Sequence, residues 1–103
     1  MLKVVSFWKL REGVDPEDAE KQYLKVHVPM AKKIHGLQKY TIAKARGRNP
    51  AFYRLAELYF RDMDAAKKGL SSPEGEATLV DEGFRSLITG MTSVFCEEEE
   101  VEL

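Results

Sequence analysis

LQKYTIAKARGRNPAFYRLAELYF, running from Leu37 to Phe60, sets the architecture of the chain. Leu37 to Ala45 alternates well enough for a strand. Ala51 to Phe60 is rich in aromatic and apolar types and reads as another. Between them Arg46-Gly47-Arg48-Asn49-Pro50 is turn chemistry, and so short a link makes the pair an antiparallel hairpin. Helical patterns flank it on both sides. Upstream, Asp15-Pro16-Glu17-Asp18 is a helix start, with Asp15 as N-cap, Pro16 at the first helical position and acids in the first turn. Ala19, Tyr23, Val26, His27, Met30 and Ile34 follow at helical spacing as one stripe, with Glu20, Lys21, Lys25 and Lys32 outside it. Gly36 closes the helix. Downstream, Asp62-Met63-Asp64 opens a second helical region. Ser72-Pro73-Glu74-Gly75 interrupts it, and a helix restarts through Phe84 with Ala77, Val80 and Phe84 inward. At the two ends lie Lys3 to Leu10 (KVVSFWKL) and Thr89 to Cys96 (TGMTSVFC), both strand-like.

The order is therefore βαββαβ, an α+β, ferredoxin-like arrangement. It predicts a four-stranded antiparallel sheet with both helical regions on one face, where right-handed crossovers put them. The other sheet face is left bare, yet it is not polar. The first strand has Val4 and Trp8 on one side and Val5 and Phe7 on the other. The third sets Tyr53, Leu55 and Tyr59 against Ala56, Leu58 and Phe60. A solvated sheet face is polar by alternation. A two-sided apolar sheet calls for a cover, and the expected cover is a second copy in a homodimer.

The 103 residues suit one domain, expected over 1–96, followed by an acidic tail over 97–103 that reads as a frayed strand end. With 44% hydrophobic and 32% charged residues the composition is that of an ordinary globular protein. A formal net charge of −1 gives no bulk attraction to nucleic acid or to an anionic membrane. Nor does any apolar run approach the ~20 residues that span a bilayer. Cys96 is the only cysteine, so no intrachain disulfide can form. The N-terminus lacks the layout of a signal peptide. The expected location is the cytoplasm. CxxC, GxGxxG and P-loop patterns are absent, and His27, His35 and Cys96 have no metal-ligand spacing, so neither a metal nor a cofactor is expected. RNA-recognition domains share this topology, but Ala51 to Glu57 does not carry their third-strand signature.

The most informative segment is Tyr23-Leu24-Lys25-Val26-His27-Val28-Pro29. Pro29 sits inside a helical pattern, where it removes a hydrogen bond and crowds the carbonyl of Lys25, so a kink is expected near His27. His27 lies on the apolar stripe, and burial favours its neutral form. Such an imidazole can serve as a general base or bind a substrate oxygen. It can equally be a core histidine satisfied by the backbone carbonyl that Pro29 frees. His35, next to Gly36, complements a helix end. Arg46 and Arg48 read as solvated loop charges.

Tyr23-x-x-x-His27-x-Pro29, followed by Gly36-Leu37-x-x-Tyr40, resembles the EthD family. So does Ser72-Pro73-Glu74-Gly75 with Ala77, Asp81 and Phe84 after it. The resemblance runs from the first strand to Phe95. It implies a dimeric α/β barrel in which two four-stranded sheets pack face to face. It also implies a pocket in each subunit between sheet and helices, with the first-helix histidine, here His27, projecting into it. Barrels of this kind include muconolactone methylisomerases, polyketide cyclases, cofactor-free monooxygenases and haem-degrading enzymes, so the fold alone selects no reaction. The expectation is a cofactor-independent isomerase, cyclase or degradative enzyme acting on a small apolar oxygenated compound. His27 would be its base and Tyr23 its helper, with Trp8, Met30, Tyr40, Tyr53 and Phe84 around the ligand. The alternatives are a non-catalytic accessory protein of a catabolic pathway, like that for ethyl tert-butyl ether, or a haem-binding barrel with His27 as axial ligand.

Overall fold

β1 (Leu2–Leu10) lies inside a four-stranded sheet of order β2-β3-β1-β4, completed by β2 (Lys39–Lys44), β3 (Arg54–Phe60) and β4 (Ile88–Glu97). All pairings are antiparallel. This is a computed structural model, and it describes residues 1–103. The helices are α1 (Pro16–Gln22), a π-helical turn (Tyr23–His27), α2 (Val28–Ala31), α3 (Met63–Ser71), α4 (Pro73–Leu79) and α5 (Glu82–Arg85). The α+β, ferredoxin-like architecture is as the hairpin and its flanks imply.

Alternation places Leu2, Val4 and Trp8 of β1 beneath the helices, beside Ala56, Leu58 and Phe60 of β3. Ile34, Ala66 and Phe84 close the core from above, and Phe60 is fully buried. Each main helix start is capped by a short polar side chain. Asp15 accepts from the Glu17 N–H, Asp62 from Ala65, Ser72 from Gly75 and Asp81 from Phe84.

The break near His27 takes the form of a wide turn. The Val28 N–H donates to the Tyr23 carbonyl, a five-residue span. Pro29 cannot donate, and its ring would crowd the Lys25 carbonyl in a regular helix. The wider turn also resets the phase of the stripe. Ala19, Tyr23 and Ala31 are buried and His27 nearly so, at four-residue intervals, while Val26 is 41% exposed and Met30 only half-buried. The even 3.6-residue stripe through Val26 and Met30 is thereby corrected.

Ala77 and Val80 are exposed as well, contrary to expectation, and Gly75 and Thr78 face inward instead. The cause is close packing of α4 on α3: a methyl group on Gly75 would run into the carbonyl oxygens of Gly69 and Leu70. Gly75→Ala is therefore expected to cost about 2–3 kcal/mol, seen as a fall in Tm on the order of 10–20 °C. A variant melting with the wild type would show that α4 can move off α3.

β2 and β3 are shorter than expected because residues 45–53 form an open loop. Tyr53 sits just before β3, its N–H donating to the Trp8 carbonyl. β4 runs longer than expected. Its end is tied rather than frayed: the Glu98 N–H donates to the Met1 carbonyl, and the Glu98 carboxylate accepts from Lys3 Nζ at 3.0 Å and from the Tyr59 hydroxyl at 2.8 Å. Lys3 also reaches Glu57, at 2.6 Å. This polar cluster occupies one end of the helix-free sheet face. Val5, Phe7 and Leu55, all half-buried, occupy the rest.

Candidate functional site

His27 is delivered to the site by the π-helical turn. Its Nδ1 lies 3.0 Å from Asp81 Oδ2, and the two side chains are only 12% and 9% exposed. A carboxylate can only accept, so Nδ1 carries the proton and Nε2 keeps its lone pair. Asp81 is itself fixed, since its other oxygen caps α5 at the Phe84 N–H. The imidazole stacks on Phe84, ring centres 3.9 Å apart and planes 27° from parallel. Burial pushes the His27 pKa down, the Asp81 hydrogen bond and charge pull it partly back, and the Arg85 charge lowers it again; the net shift is downward.

This has a consequence for stability. In the unfolded chain the histidine takes up its proton near 6.5, whereas in the folded protein it resists until lower pH. Below 6.5 the unfolded state binds more protons, so this contribution is complete above that pH and is lost as pH falls toward the folded value. Urea unfolding between about pH 7.5 and pH 5 should show stability declining with acidity, with a shallower decline in His27→Gln. Equal slopes would mean that His27 does not titrate differently on folding.

The cavity beside His27 has a volume of about 170 Å³. Val4, Ser6 and Trp8 of β1 form its floor, with Ser93 and Phe95 of β4 beside them; Phe84 stands against the floor, and Leu79 is at the rim. Trp8 is edge-on to both Tyr23 and Phe84, with ring centres 5.2 Å apart in each pair. Phe95 stays 47% exposed on the β4 side.

The structure gathers Trp8, Tyr23, His27 and Phe84 around one cavity. Three expected ligand contacts lie elsewhere. Met30 is rotated away by the π-helical turn. Tyr40 packs against the core from β2, outside the cavity. The Tyr53 hydroxyl donates to Glu20 Oε2 at 2.8 Å, and its pKa is pushed up to about 12 by burial and that bond. Tyr23 contributes its ring. Its buried hydroxyl forms no hydrogen bond of good geometry, and burial raises its pKa, with Tyr40 adding to the shift. The Arg54 guanidinium lies 5.2 Å from the Tyr23 ring centre and grips Glu20 through two bonds, at 2.6 and 3.0 Å. That grip holds the Glu20 carboxyl below its usual range.

Asp81, Ser6 and Ser93 were given no role by sequence reasoning. A signal for Arg54 existed, because a charge in the inward register of Ala56, Leu58 and Phe60 requires a buried partner. Asp81 entered only through the family resemblance, which says nothing of a bond to His27. No three His, Cys, Asp or Glu side chains converge as a metal site. No helix is long and apolar enough to cross a membrane.

Residues 11–84 match the family model described as the EthD domain. The chain belongs to the EthD family. Among solved structures, this EthD protein is similar to an ethyl tert-butyl ether degradation (EthD) family protein from Bacillus halodurans C-125. The two share 24% identity, with 96% of this chain and 99% of that chain covered and a TM-score of 0.84. A dimeric protein of ferredoxin-like fold from Bacteroides fragilis follows at 17% identity, 94% and 95% coverage and a TM-score of 0.73. SnoaB, a cofactor-independent oxygenase from Streptomyces nogalater, has 15% identity, 97% and 94% coverage and a TM-score of 0.69. These likenesses show the ferredoxin-like fold. No curated protein sequence matches the chain.

Proposed function

We propose that this EthD protein is a cofactor-independent enzyme that moves a proton on a small, largely apolar, oxygenated compound. His27 is the general base, and Asp81 is a positioning residue that fixes its tautomer. One observation carries this reading: His27 lines an apolar cavity with Nδ1 held by Asp81, which leaves the basic Nε2 free. A depressed pKa keeps that nitrogen unprotonated near neutral pH. The likeness to a cofactor-independent oxygenase supports chemistry without a bound cofactor on such a frame. The haem alternative has less support, because a space of about 170 Å³ is smaller than a porphyrin.

The test is a thermal-shift screen of hydroxyaromatics, lactones, small ethers and polyketide-like phenols, with product analysis of every hit. A stabilising compound that is converted supports the reading. One that binds through the cavity and is recovered unchanged makes the protein an accessory or carrier.

The working unit is a homodimer joined through the helix-free sheet faces. Val5, Phe7 and Leu55 give that face an apolar centre, and two similar structures are described as dimeric. Sedimentation should give about twice the chain's 11.7 kDa, and Leu55→Asp should return it to the monomer mass. A wild-type monomer at micromolar concentration would exclude this assembly.

A further inference from the structure

Ser6 and Ser93 face each other across β1 and β4, their hydroxyl oxygens 2.7 Å apart, on the wall of the same cavity. They share the helix-side register with Val4 and Phe95, so two hydroxyls interrupt an otherwise apolar floor. Each serine has one donor and two acceptor sites. Their mutual bond uses one donor, so one O–H is left over, open to the cavity and to solvent on the exposed Ser93 side. Two other polar side chains of the wall have intramolecular partners. The Thr78 hydroxyl donates to the Glu74 carbonyl at 2.9 Å. Arg85, exposed at the rim, donates its Nε–H to the Leu79 carbonyl at 2.9 Å. The Tyr23 hydroxyl is buried away from solvent. The Trp8 indole N–H and the terminal N–H groups of Arg85 also stand at the cavity, so the serine pair is the hydroxyl donor among its open groups, and the Nε2 of His27 is the group that takes a proton.

We infer that the Ser6–Ser93 pair is an oxygen-binding subsite, and that the substrate is a small carbonyl compound whose oxygen accepts from it. This deepens the proposed function and rests on it for the proton transfer, though not for the binding. The chemistry balances without a co-reactant. His27 Nε2 takes a proton from the carbon next to the carbonyl, and the C–H electron pair moves to form the enolate. The enolate oxygen is held by the serine O–H. Return of the same proton to another carbon of the conjugated system completes an isomerisation, and the imidazole ends neutral. The size agrees: dry cavities of about 150 Å³ accept benzene, so about 170 Å³ suits one ring with a short substituent.

An apolar ligand covering the pair strands the spare O–H, whereas a ketone satisfies it. A site built this way rejects the analogue that lacks the oxygen. Acetophenone and ethylbenzene are matched probes. Trp8 is the only tryptophan and lines the cavity, so its indole N–H resonance reports occupancy by either. The wild type is expected to bind acetophenone about ten- to a hundredfold tighter than ethylbenzene. Ser6→Ala and Ser93→Ala singly leave one hydroxyl to donate, so each should keep most of that preference. The double variant Ser6→Ala/Ser93→Ala should lose it, with ethylbenzene binding retained. Equal binding of both probes by the wild type, or a preference that survives in the double variant, overturns the serine assignment alone. Failure of both probes to move the Trp8 resonance overturns it together with the cavity reading beneath it. If the double variant does not fold, Ser6→Ala/Ser93→Thr and Ser6→Thr/Ser93→Ala, each of which keeps one hydroxyl, should keep the preference, and its loss in both overturns the assignment.

Discussion

His27→Gln should lower turnover of the substrate by about 10²–10⁴-fold while the protein stays folded. Glutamine separates the two jobs of the imidazole. Its amide can still donate to Asp81, so a carboxylate only 9% exposed keeps a partner. It cannot take up a proton at neutral pH. Alanine would remove both functions and strand Asp81, at a further cost of about 1–3 kcal/mol in stability. Steady-state kinetics should place the glutamine loss in kcat, with KM little changed, because the base acts in the transition state. Asp81→Asn should be milder in rate but distinctive in pH dependence. Asp81 is what raises the His27 pKa against burial. Its neutralisation should move the acidic limb of the pH–rate profile to lower pH. A His27→Gln enzyme with wild-type turnover would remove His27 from the chemistry.

Phe84→Ala should cost about 3–5 kcal/mol, a large share of the roughly 5–15 kcal/mol that stabilises a domain. Phe84 is 2% exposed and is the common neighbour of Trp8, Tyr23 and His27. Its removal takes away the surface on which the imidazole lies and opens a void between α5 and the sheet. Because Asp81 caps α5 at the Phe84 N–H, that short helix should loosen, and with it the His27–Asp81 geometry. In urea, the midpoint should fall with the slope unchanged. Phe84→Leu, which refills most of the space, should lose much less. A cost under about 1 kcal/mol for the alanine variant would contradict the packing described here.

The fold was readable because its signals are local and redundant. Asp15-Pro16 and Ser72-Pro73 carry their own helix starts, and alternation in β1 and β3 assigns faces residue by residue. Pro29 announced a break, but its form was not readable. A π-helical turn and a simple kink remove the same hydrogen bond, yet only the first turns Val26 and Met30 outward while bringing Ala31 in. Ala77 and Val80 were misplaced for a related reason. Apolar character suggested an inward face, but the glycine at position 75 lets α4 lie so close to α3 that Gly75 and Thr78 take that face.

The site divided along the same line. Trp8, Tyr23, His27 and Phe84 meet because each sits on a clear inward register. Tyr53 was placed by strand alternation, but it precedes β3 and turns toward Glu20. The partner of His27 was beyond reach, since Asp81 is separated from it by 54 positions. Only the folded chain shows that the cap of α5 is also the acceptor for Nδ1. The serine pair joins the first strand to the last, 87 positions apart, and neither serine carries a motif.

The most direct measurement is the nitrogen NMR spectrum of His27 in the ligand-free protein near neutral pH. The expected result is a neutral ring with a pyrrole-like, protonated Nδ1 and a pyridine-like, unprotonated Nε2. Asp81→Asn should disturb that assignment. A ring protonated on both nitrogens, or one with the proton on Nε2, would contradict it, since neither state offers the cavity a base.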